Sequence, residues 1–315
     1  MRAVLLPDLA LVERSAPRPD EGELLVSVRA AGLNRADLLQ RLGRYPAPPG
    51  WPTDVPGLEY AGVVTALGEG VTRFAIGDRV MGLVGGGAMV EQLTIHEAEA
   101  IRVPDRLRDV EAAAVPEAFL TAWDALVVRG RAERGDRVLM HAIGSGVGTA
   151  ALQFAPLLGI TMVGTSRTPE KLERCIALGL HHGVLTTDED WPTAVGAPVQ
   201  LIIDTLGAKA LAANLGLLAP LGRLVVLGTM TGSETTIDLG VVLRKRLSII
   251  GTAMRNRGAA ERRVLMARFA AEVLPHLAGG ALTPLVEAVV PMTEAARGYD
   301  LLAGNGTFGK VVLAW

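Results

Sequence analysis

The feature of the sequence that most constrains the fold is a short apolar run, a glycine-rich turn and a helical pattern in direct succession. Val138 to Met140 form the apolar run, Gly144 to Gly148 (GSGVG) form the turn, and the helical pattern starts at Thr149. A strand, a turn and a helix in this order point backbone N–H groups and the positive end of the helix dipole at a phosphate. A turn without a ligand has a similar sequence, and GSGVG departs from G-x-G-x-x-G, so the context must decide.

The context favours a dinucleotide site, because strand and helix patterns alternate from residue 137 to residue 251. The predicted strands are residues 138–141, 161–165, 183–185, 201–204, 223–227 and 247–251. The predicted helices are residues 148–158, 169–178, 208–218 and 239–246. Apolar strands that alternate with helices predict a parallel sheet covered on both faces, the doubly wound Rossmann architecture of an α/β protein.

The end of the second strand in this region indicates which dinucleotide binds. An NAD site places an acidic side chain about 20 residues beyond the glycine turn, where it accepts hydrogen bonds from the ribose 2′-hydroxyl. Here the strand ends in Thr165, Ser166 and Arg167, and Lys171 follows in the next helix. Hydroxyl and cationic side chains suit a 2′-phosphate, so the pattern favours NADPH, although Arg and Lys are also ordinary residues at a solvated helix start.

Two more predicted strands end at the same edge of this sheet. Gly228 and Met230 follow the fifth strand, and Asp204 ends the fourth. Because ligands lie beyond the carboxyl ends of parallel strands, we expect backbone contacts from Gly228 and Met230 to the nicotinamide ribose. Asp204 either lies near that ligand or caps the helix that follows.

The rest of the chain has a different organisation. Short strand patterns at 24–28, 61–66, 79–83 and 88–95 predict a compact barrel or strongly bent sheet, interrupted by one helix over 34–42. A helical pattern over 118–127 marks the domain boundary, and a helix over 262–278 precedes a strand–helix–strand tail. The predicted domains are residues 1–117, 118–255 and 256–315, with the last segment rejoining the first domain.

Composition excludes several classes of function. The net charge of −2 over 315 residues gives no electrostatic reason to expect nucleic acid or an anionic membrane as a partner. A single cysteine, Cys175, excludes an intramolecular disulfide and a cysteine-rich zinc site, and it is consistent with a cytoplasmic location. The histidines lack metal-ligand spacing. No apolar run reaches the ~20 residues of a membrane span.

Two polar residues of the first region have alternative interpretations. Asn34 opens the predicted helix, where it acts either as an N-cap or as an amide directed at a substrate. Tyr45 lies before a proline-rich loop, and it is either a half-buried loop residue or a hydroxyl at the cofactor. The residues alone favour the cap for Asn34.

Five stretches resemble one family. They are AAGLNRADLLQRLGRYPAPPG (30–50), VPGLEYAGVV (55–64), AAAVPEAFLTAWDAL (112–126), GDRVLMHAIGSGVGTAALQ (135–153) and GKVVL (309–313). Together they resemble the zinc-free medium-chain dehydrogenases/reductases of the quinone oxidoreductase group, and most of all the p53-inducible branch. The resemblance implies a GroES-like, mostly β catalytic domain around an inserted Rossmann domain that binds NADPH.

The resemblance also implies roles for individual residues. It places Asn34 and Tyr45 beside the nicotinamide and the substrate. It also implies that the chain has no zinc ligands, because Asn34 and Leu58 stand where zinc alcohol dehydrogenases carry cysteine and histidine. It puts Thr121 near the nicotinamide end, Ser145, Gly146 and Val147 at the pyrophosphate, and Lys171 with Ser166 or Arg167 at the 2′-phosphate. Together with the residues argued from the sequence itself, the expected cofactor contacts are Tyr45, Thr121, Gly144, Ser145, Gly146, Val147, Thr165, Ser166, Arg167, Lys171, Gly228, Met230 and Lys310.

The expected function is metal-free hydride transfer from NADPH to a quinone, with Asn34 and Tyr45 as hydrogen-bond donors to the oxygen that gains charge. Two alternatives remain open: reduction of an enone or enoyl thioester, and a crystallin-like protein that binds NADPH without turnover. A homodimer is also expected, because the apolar strand over 247–252 is an uncovered sheet edge that a second copy would pair.

Overall fold

The computed structural model describes residues 1–188 and 190–315. These residues form two compact units. One comprises Met1–Leu120 with Met254–Trp315, and the other comprises Thr121–Ala253. The sequence predicts boundaries at 117/118 and 255/256.

The first unit is built on a seven-stranded, mostly antiparallel sheet. The strands of this unit are β1 (Arg2–Leu5), β2 (Ala10–Glu13), β3 (Glu23–Leu33), β4 (Glu59–Leu67), β5 (Arg79–Leu83), β6 (Gln92–His96), β7 (Ala100–Arg102), β14 (Val286–Pro291) and β15 (Lys310–Ala314). In the large sheet the order is β14-β15-β3-β4-β5-β7, with β6 paired to β3, while β1 and β2 pair separately. The long strand β3 alternates buried and partly exposed residues over its first half, as expected of a strand with one face on the core.

The helices of this unit are α1 (Arg35–Arg41), α2 (Asp109–Ala112), α3 (Pro116–Trp123), α9 (Ala259–Glu272), α10 (Leu274–Ala278) and α11 (Ala295–Ala303). Helix α3 begins with Pro116, which suits a first helical position because its missing N–H is not needed there. Its last three residues belong to the second unit, where a π-helical turn, Asp124–Arg129, continues from it.

The second unit is a six-stranded parallel sheet with helices between the strands. Its elements are β8 (Arg137–Met140), α4 (Gly146–Leu158), β9 (Thr161–Ser166), α5 (Pro169–Ala177), β10 (His182–Leu185), α6 (Trp191–Val195), β11 (Val199–Asp204), α7 (Leu211–Leu217), β12 (Leu218–Val226), α8 (Leu239–Lys245) and β13 (Ser248–Gly251). The strand order β10-β9-β8-β11-β12-β13 changes direction after β8, so β8 and β11 lie at the switch point where such sheets bind ligands.

The fold class is as predicted, a GroES-like unit with a Rossmann-like parallel sheet. Two local predictions are wrong, and one pair of strands was missed. The helix over 262–278 is two helices, because Pro275 lies in the first turn of α10 and cannot continue α9. Residues 88–91 precede the strand instead of joining it, since Ala88 and Met89 donate to the carbonyl groups of Gly57 and Pro56. The N-terminal β1–β2 pair was not predicted.

Candidate active site

A buried ammonium group organises the polar centre of the first unit. Lys310 Nζ lies 2.7 Å from Leu33 O, 2.6 Å from Asn34 Oδ1 and 2.6 Å from Glu59 Oε1. Strand β15 pairs with β3, and β3 pairs with β4, so adjacent strands bring these residues together. Glu59 is fully buried, and Lys310 supplies the positive charge that a buried carboxylate requires.

This arrangement changes the predicted role of Asn34. Its Oδ1 accepts from Lys310, and its Nδ2 donates to Glu59 Oε1 (2.9 Å) and to Gly32 O (3.3 Å). Both amide hydrogens of Asn34 are engaged within the unit, so its side chain positions Lys310 and Glu59 here, and its donation to an acceptor remains a prediction. The three N–H groups of Lys310 are likewise used within the unit, and its contact with the cofactor remains a prediction.

Asn34 does occupy the N-cap position of α1, in agreement with the simpler interpretation of its sequence context. The amide side chain makes none of the cap bonds, because it is held by Lys310 and Glu59. Asp37 acts instead, accepting from Asn34 N (2.8 Å) with one oxygen and from Gly57 N (3.1 Å) with the other. Burial raises the pKa of Asp37 to about 6, although both backbone bonds and Lys310 oppose that shift.

A cavity lies within the first unit. Its apolar lining residues are Leu58, Leu83, Val84, Leu120, Met254, Leu265 and Met266, and its charged lining residues are Glu99, Glu117, Arg255, Arg257 and Arg262. A mostly apolar pocket with a few convergent polar groups is the usual form of a small-molecule site. Met254, Arg255 and Arg257, which precede α9, all line this cavity.

Glu117 was not singled out in the sequence, although it is the one acidic residue in the run AAAVPEAFLTAW. Its backbone N–H donates to Glu59 Oε2 (2.7 Å), which ties the first turn of α3 to the Lys310 cluster. Burial, and then the negative charge of Glu59, raise the pKa of the Glu117 carboxyl to about 7. An acid in a predicted apolar helix was the signal that could have found it.

Arg255 fixes the loop that carries Tyr45. The guanidinium donates to Gly85 O (2.7 Å), Tyr45 O (2.7 Å) and Gln40 Oε1 (2.8 Å). It also lies over the Tyr45 ring, 4.9 Å from the ring centroid. Tyr45 is therefore a half-buried loop residue held by a cation. Its pKa is raised by burial and by Glu117, so the phenol keeps its proton at neutral pH and can donate it in a hydrogen bond.

In the second unit, the glycine turn leads into α4 as expected. Ser145 is the N-cap, and its Oγ accepts from Gly148 N at 3.1 Å. The first intrahelical bond runs from Thr149 N to Ser145 O, so the N–H groups of Gly146 and Val147 precede the bonded turns. A side chain at Gly148 would lie 2.4 Å from Ile143 O, which explains why the turn requires glycine there.

The predicted phosphate residues lie at the end of β9. Arg167 is exposed, and the aliphatic part of Lys171 packs on Gly144, about 3.0 Å from where a side chain there would begin. The Ser166 hydroxyl accepts from Thr168 N (3.1 Å). Thr165 is different, since it is buried and its hydroxyl bonds His141 Nδ1 (2.9 Å). The Thr165 hydroxyl is therefore engaged within the unit, and its contact with a cofactor remains a prediction.

His141 belongs to a buried network that the sequence did not indicate. Its Nε2 lies 2.8 Å from Asn214 Oδ1, and burial lowers its pKa. Asp204 accepts from the backbone N–H groups of Leu206 and Gly207, which favours the turn-capping interpretation over a ligand contact. These bonds fix the ends of the two central strands.

The remaining predicted cofactor contacts are Gly228 and Met230, which follow β12, and Thr121, which lies in α3. Gly228 and Met230 donate backbone hydrogen bonds to the carbonyl groups of Asp204 and Thr205, and the Met230 side chain is exposed. Thr121 is 9% exposed, and its Oγ1 has no hydrogen-bond partner among residues 1–188 and 190–315. A buried hydroxyl without a partner is the expected state of a group that bonds a ligand.

The described residues contain neither a metal-ligand cluster nor a membrane-spanning helix. Within the described part of the chain, no group of three or more His, Cys, Asp or Glu side chains is arranged to hold a metal ion. No helix among the described residues is long and apolar enough to cross a bilayer.

Two family models match the chain. Residues 20–105 match the alcohol dehydrogenase GroES-like domain, and residues 146–271 match the zinc-binding dehydrogenase domain. A quinone oxidoreductase of Pseudomonas aeruginosa is 32% identical over 301 residues, covering 94% of this chain and 92% of that protein.

The chain belongs to the medium-chain dehydrogenase/reductase superfamily.

Solved structures of this superfamily share the whole fold. The Escherichia coli quinone oxidoreductase complexed with NADPH has a TM-score of 0.90 at 26% identity, with 100% of both chains covered. A mycobacterial protein complexed with NADPH has a TM-score of 0.89 at 28% identity, again over 100% of both chains.

Other relatives within the superfamily are much longer proteins. The chain is 39% identical to polyketide synthase GfsB of Streptomyces halstedii over 211 residues, which is 4% of that protein. Across the polyketide synthases it matches, it spans 4% to 14% of their length.

Proposed function

We propose that the protein is an NADPH-dependent, metal-free oxidoreductase that reduces a quinone, of the p53-inducible branch of its superfamily. The observation that carries the proposal is the arrangement at the end of β9. There β9 ends in Thr165 and Ser166, Arg167 follows, and Lys171 packs on Gly144 of the glycine turn, while the first acidic residue, Glu170, comes only in the first turn of α5. The NADPH complexes of two relatives of the same fold support it.

The residues of the second unit fit the cofactor. The N–H groups of Gly146 and Val147, with the positive end of α4, would hold the pyrophosphate. Arg167 and Lys171 would hold the 2′-phosphate, and Thr121 has a hydroxyl to offer the nicotinamide end. When bound, NADPH supplies a hydride; the protein orients it.

The first unit supplies the acceptor site. Apolar walls at Leu58, Leu120 and Met266 suit a flat carbon ring and exclude water. Among the described residues, the Arg255 guanidinium donates to three neutral oxygens, the carbonyl groups of Gly85 and Tyr45 and the side-chain oxygen of Gln40. Its positive charge can therefore stabilise an acceptor oxygen that becomes negative. A quinone oxygen that gains charge in this way needs no metal.

The Lys310 cluster supports the metal-free part of the proposal. The carboxylate of Glu59 and the amide oxygen of Asn34 both contact the ammonium group, so a cation is already provided by the chain itself. A zinc ion there would meet the repulsion of Lys310. Measurement of bound zinc by atomic emission after purification with zinc in the medium tests this, and one zinc per chain would contradict it.

The reaction is tested by stopped-flow mixing of enzyme, NADPH and 1,4-benzoquinone. We expect NADPH absorbance to decay well above the uncatalysed rate. An acceptor panel that shows turnover of enones and none of quinones would select the enone reductase instead. Tight NADPH binding without turnover on any acceptor would select the non-catalytic alternative.

A homodimer through β13 is part of the proposal. This strand is the last of the parallel sheet, and Ile249 on it is exposed. On α8, the preceding helix, Leu239 and Leu243 are also exposed. Pairing of β13 with the same strand of a second copy would cover this edge and join two sheets around a two-fold axis.

A further inference from the structure

Glu117 differs from every other carboxyl group near the cavity in how it is held. Two carboxyl side chains line the cavity, those of Glu99 and Glu117. Glu99 forms an ion pair with Arg262, with 2.7 Å between Oε2 and Nε. Glu117 is anchored by its backbone N–H, which bonds Glu59, and this leaves the carboxyl itself to face the cavity.

Lys310 and Arg255 both lower the pKa of Glu117, but less than burial and the charge of Glu59 raise it, and both cations are engaged with other groups. The Lys310 ammonium is bonded to Glu59, and both oxygens of Asp37 accept backbone N–H groups. Arg255 donates to three neutral oxygens and lies over Tyr45, while Glu99 offsets Arg262. With Glu59 ionised nearby, ionisation of Glu117 would place a second negative charge beside it in a dry region.

Burial and the nearby Glu59 accordingly raise the pKa of Glu117 to about 7. The Glu117 carboxyl therefore holds a proton near neutral pH more readily than an ordinary glutamate does. Tyr45 holds its proton more firmly, since its pKa is raised above an already high value. Asp37 and Glu59 are fully buried and do not line the cavity.

We propose that Glu117 is the acid of this cavity and donates its proton to the acceptor after hydride transfer. This inference rests on the proposed function and deepens it, because it extends the acceptors to enones, in which a carbon–carbon double bond is conjugated to a carbonyl group. The β-carbon of the enone receives a hydride from NADPH, and the π electrons move toward the carbonyl oxygen. The α-carbon then takes the proton of Glu117, whose carboxylate regains a proton from solvent.

The reaction consumes one enone, one NADPH and one proton, and it forms one saturated ketone and one NADP⁺. A quinone does not need the acid in the same way, because its reduced oxygen is a tolerable anion that water protonates later. Glu117 therefore separates the two acceptor classes within one site.

The experiment compares Glu117→Gln with the wild type on an enone and on 1,4-benzoquinone. General acid catalysis contributes about 10² to 10⁴ in rate, so enone turnover falls by at least about 100-fold. Quinone turnover falls by much less, so the ratio of enone to quinone turnover drops by at least about 30-fold, or ~2 kcal/mol of activation free energy. Glu117→Asp keeps a carboxyl group and restores part of the enone rate. Glu111→Gln, a surface carboxylate paired with Arg108, is the control for loss of one charge.

Two readouts separate a proton donor from a structural residue. In D₂O the wild type places deuterium on one face of the α-carbon, and Glu117→Gln does not. Infrared difference spectra of the protein without cofactor show a protonated carboxyl band that is lost as pH rises through about 7, the value to which the pKa of Glu117 is raised, in wild type and in Glu111→Gln. Glu117→Gln keeps the band of Asp37, whose pKa is raised to about 6, so the Glu117 band is the difference between the wild-type and Glu117→Gln spectra.

The outcomes distinguish this proposal from the proposed function. Absence of the Glu117 band at pH below 7, an equal loss of enone and quinone turnover in Glu117→Gln, or quinone turnover without any enone turnover in the wild type would each overturn the role of Glu117. Failure of the wild type to reduce quinones, with enones reduced and the Glu117 band present, would overturn quinone reduction and leave Glu117 as the acid.

Discussion

Replacing Lys310 by methionine should destabilise the protein strongly. Methionine fills similar volume but removes the ammonium group that bonds Leu33 O, Asn34 Oδ1 and Glu59 Oε1. Glu59 is fully buried, so it would keep a negative charge without its cation or take up a proton. Removing one partner of a buried ion pair costs about 3–5 kcal/mol. In a unit of this size each kcal/mol corresponds to about 2–4 °C, so the melting temperature should fall by about 6–20 °C.

Scanning calorimetry at neutral pH measures this change, and the chain offers a matched control. Lys245 also donates three hydrogen bonds, to the carbonyl groups of Leu215 (3.1 Å), Gly216 (2.6 Å) and Leu218 (2.8 Å), but no carboxylate depends on it. Lys245→Met should cost only about 1–2 kcal/mol. Adding Glu59→Gln to Lys310→Met should recover part of the loss. If Lys310→Met lowers the melting temperature no more than Lys245→Met does, the reasoning about the buried charge is wrong.

Four further predictions test other parts of the account. Lys171→Glu should weaken NADPH binding by about 10–100-fold in calorimetric titration, the value of one charge-assisted bond, and leave NADH binding nearly unchanged. Arg255→Met should raise the acceptor KM about tenfold, ~1.4 kcal/mol, without changing the NADPH Kd; a change in both would point to misfolding. Ile249→Lys should yield the monomer mass in light scattering, where the wild type gives a dimer. Because the pKa of Glu117 is raised from 4.5 to about 7, ionising this carboxyl in the folded protein costs stability between those two pH values. The wild type should therefore lose stability relative to Glu117→Gln as pH rises through that window, and equal melting temperatures of the two proteins across it would contradict this.

The parallel sheet was largely predictable because its signals are local. Apolar strands alternate with helical patterns, and the glycine turn marks the first strand–helix junction, so each signal can be read from a short stretch of the sequence. The predicted strand over 161–165 and the observed β9, Thr161–Ser166, differ by one residue. The N-terminal β1–β2 pair escaped because strands of four residues carry too short an alternation to stand out.

The acceptor site was less predictable, because its chemistry depends on residues that are distant in the chain. Lys310 and Glu59 are separated by 251 positions, and only the pairing of β15, β3 and β4 brings them together. Asn34 bonds both groups and so positions them, while its donation to an acceptor remains a prediction. Glu117 reads as one acid in an apolar helix, and its raised pKa follows from burial beside Glu59, which no spacing reveals.

The cofactor side was intermediate. The glycine turn and the absence of an acid at the end of β9 could be found by position alone. The direction in which each side chain points could not be found by position alone. Thr165 is an example, because its hydroxyl bonds the buried His141. Alternation along a strand places Thr165 on the inner face, next to a histidine whose neutral ring accepts or donates there.

The measurement that tests the central claim most directly is a steady-state acceptor panel of quinones and enones, run with NADPH and with NADH side by side. We predict turnover of quinones with NADPH, at a kcat/KM at least about tenfold above that with NADH, ~1.4 kcal/mol of transition-state stabilisation. No turnover of any acceptor with NADPH, or equal turnover with NADH, would contradict the account.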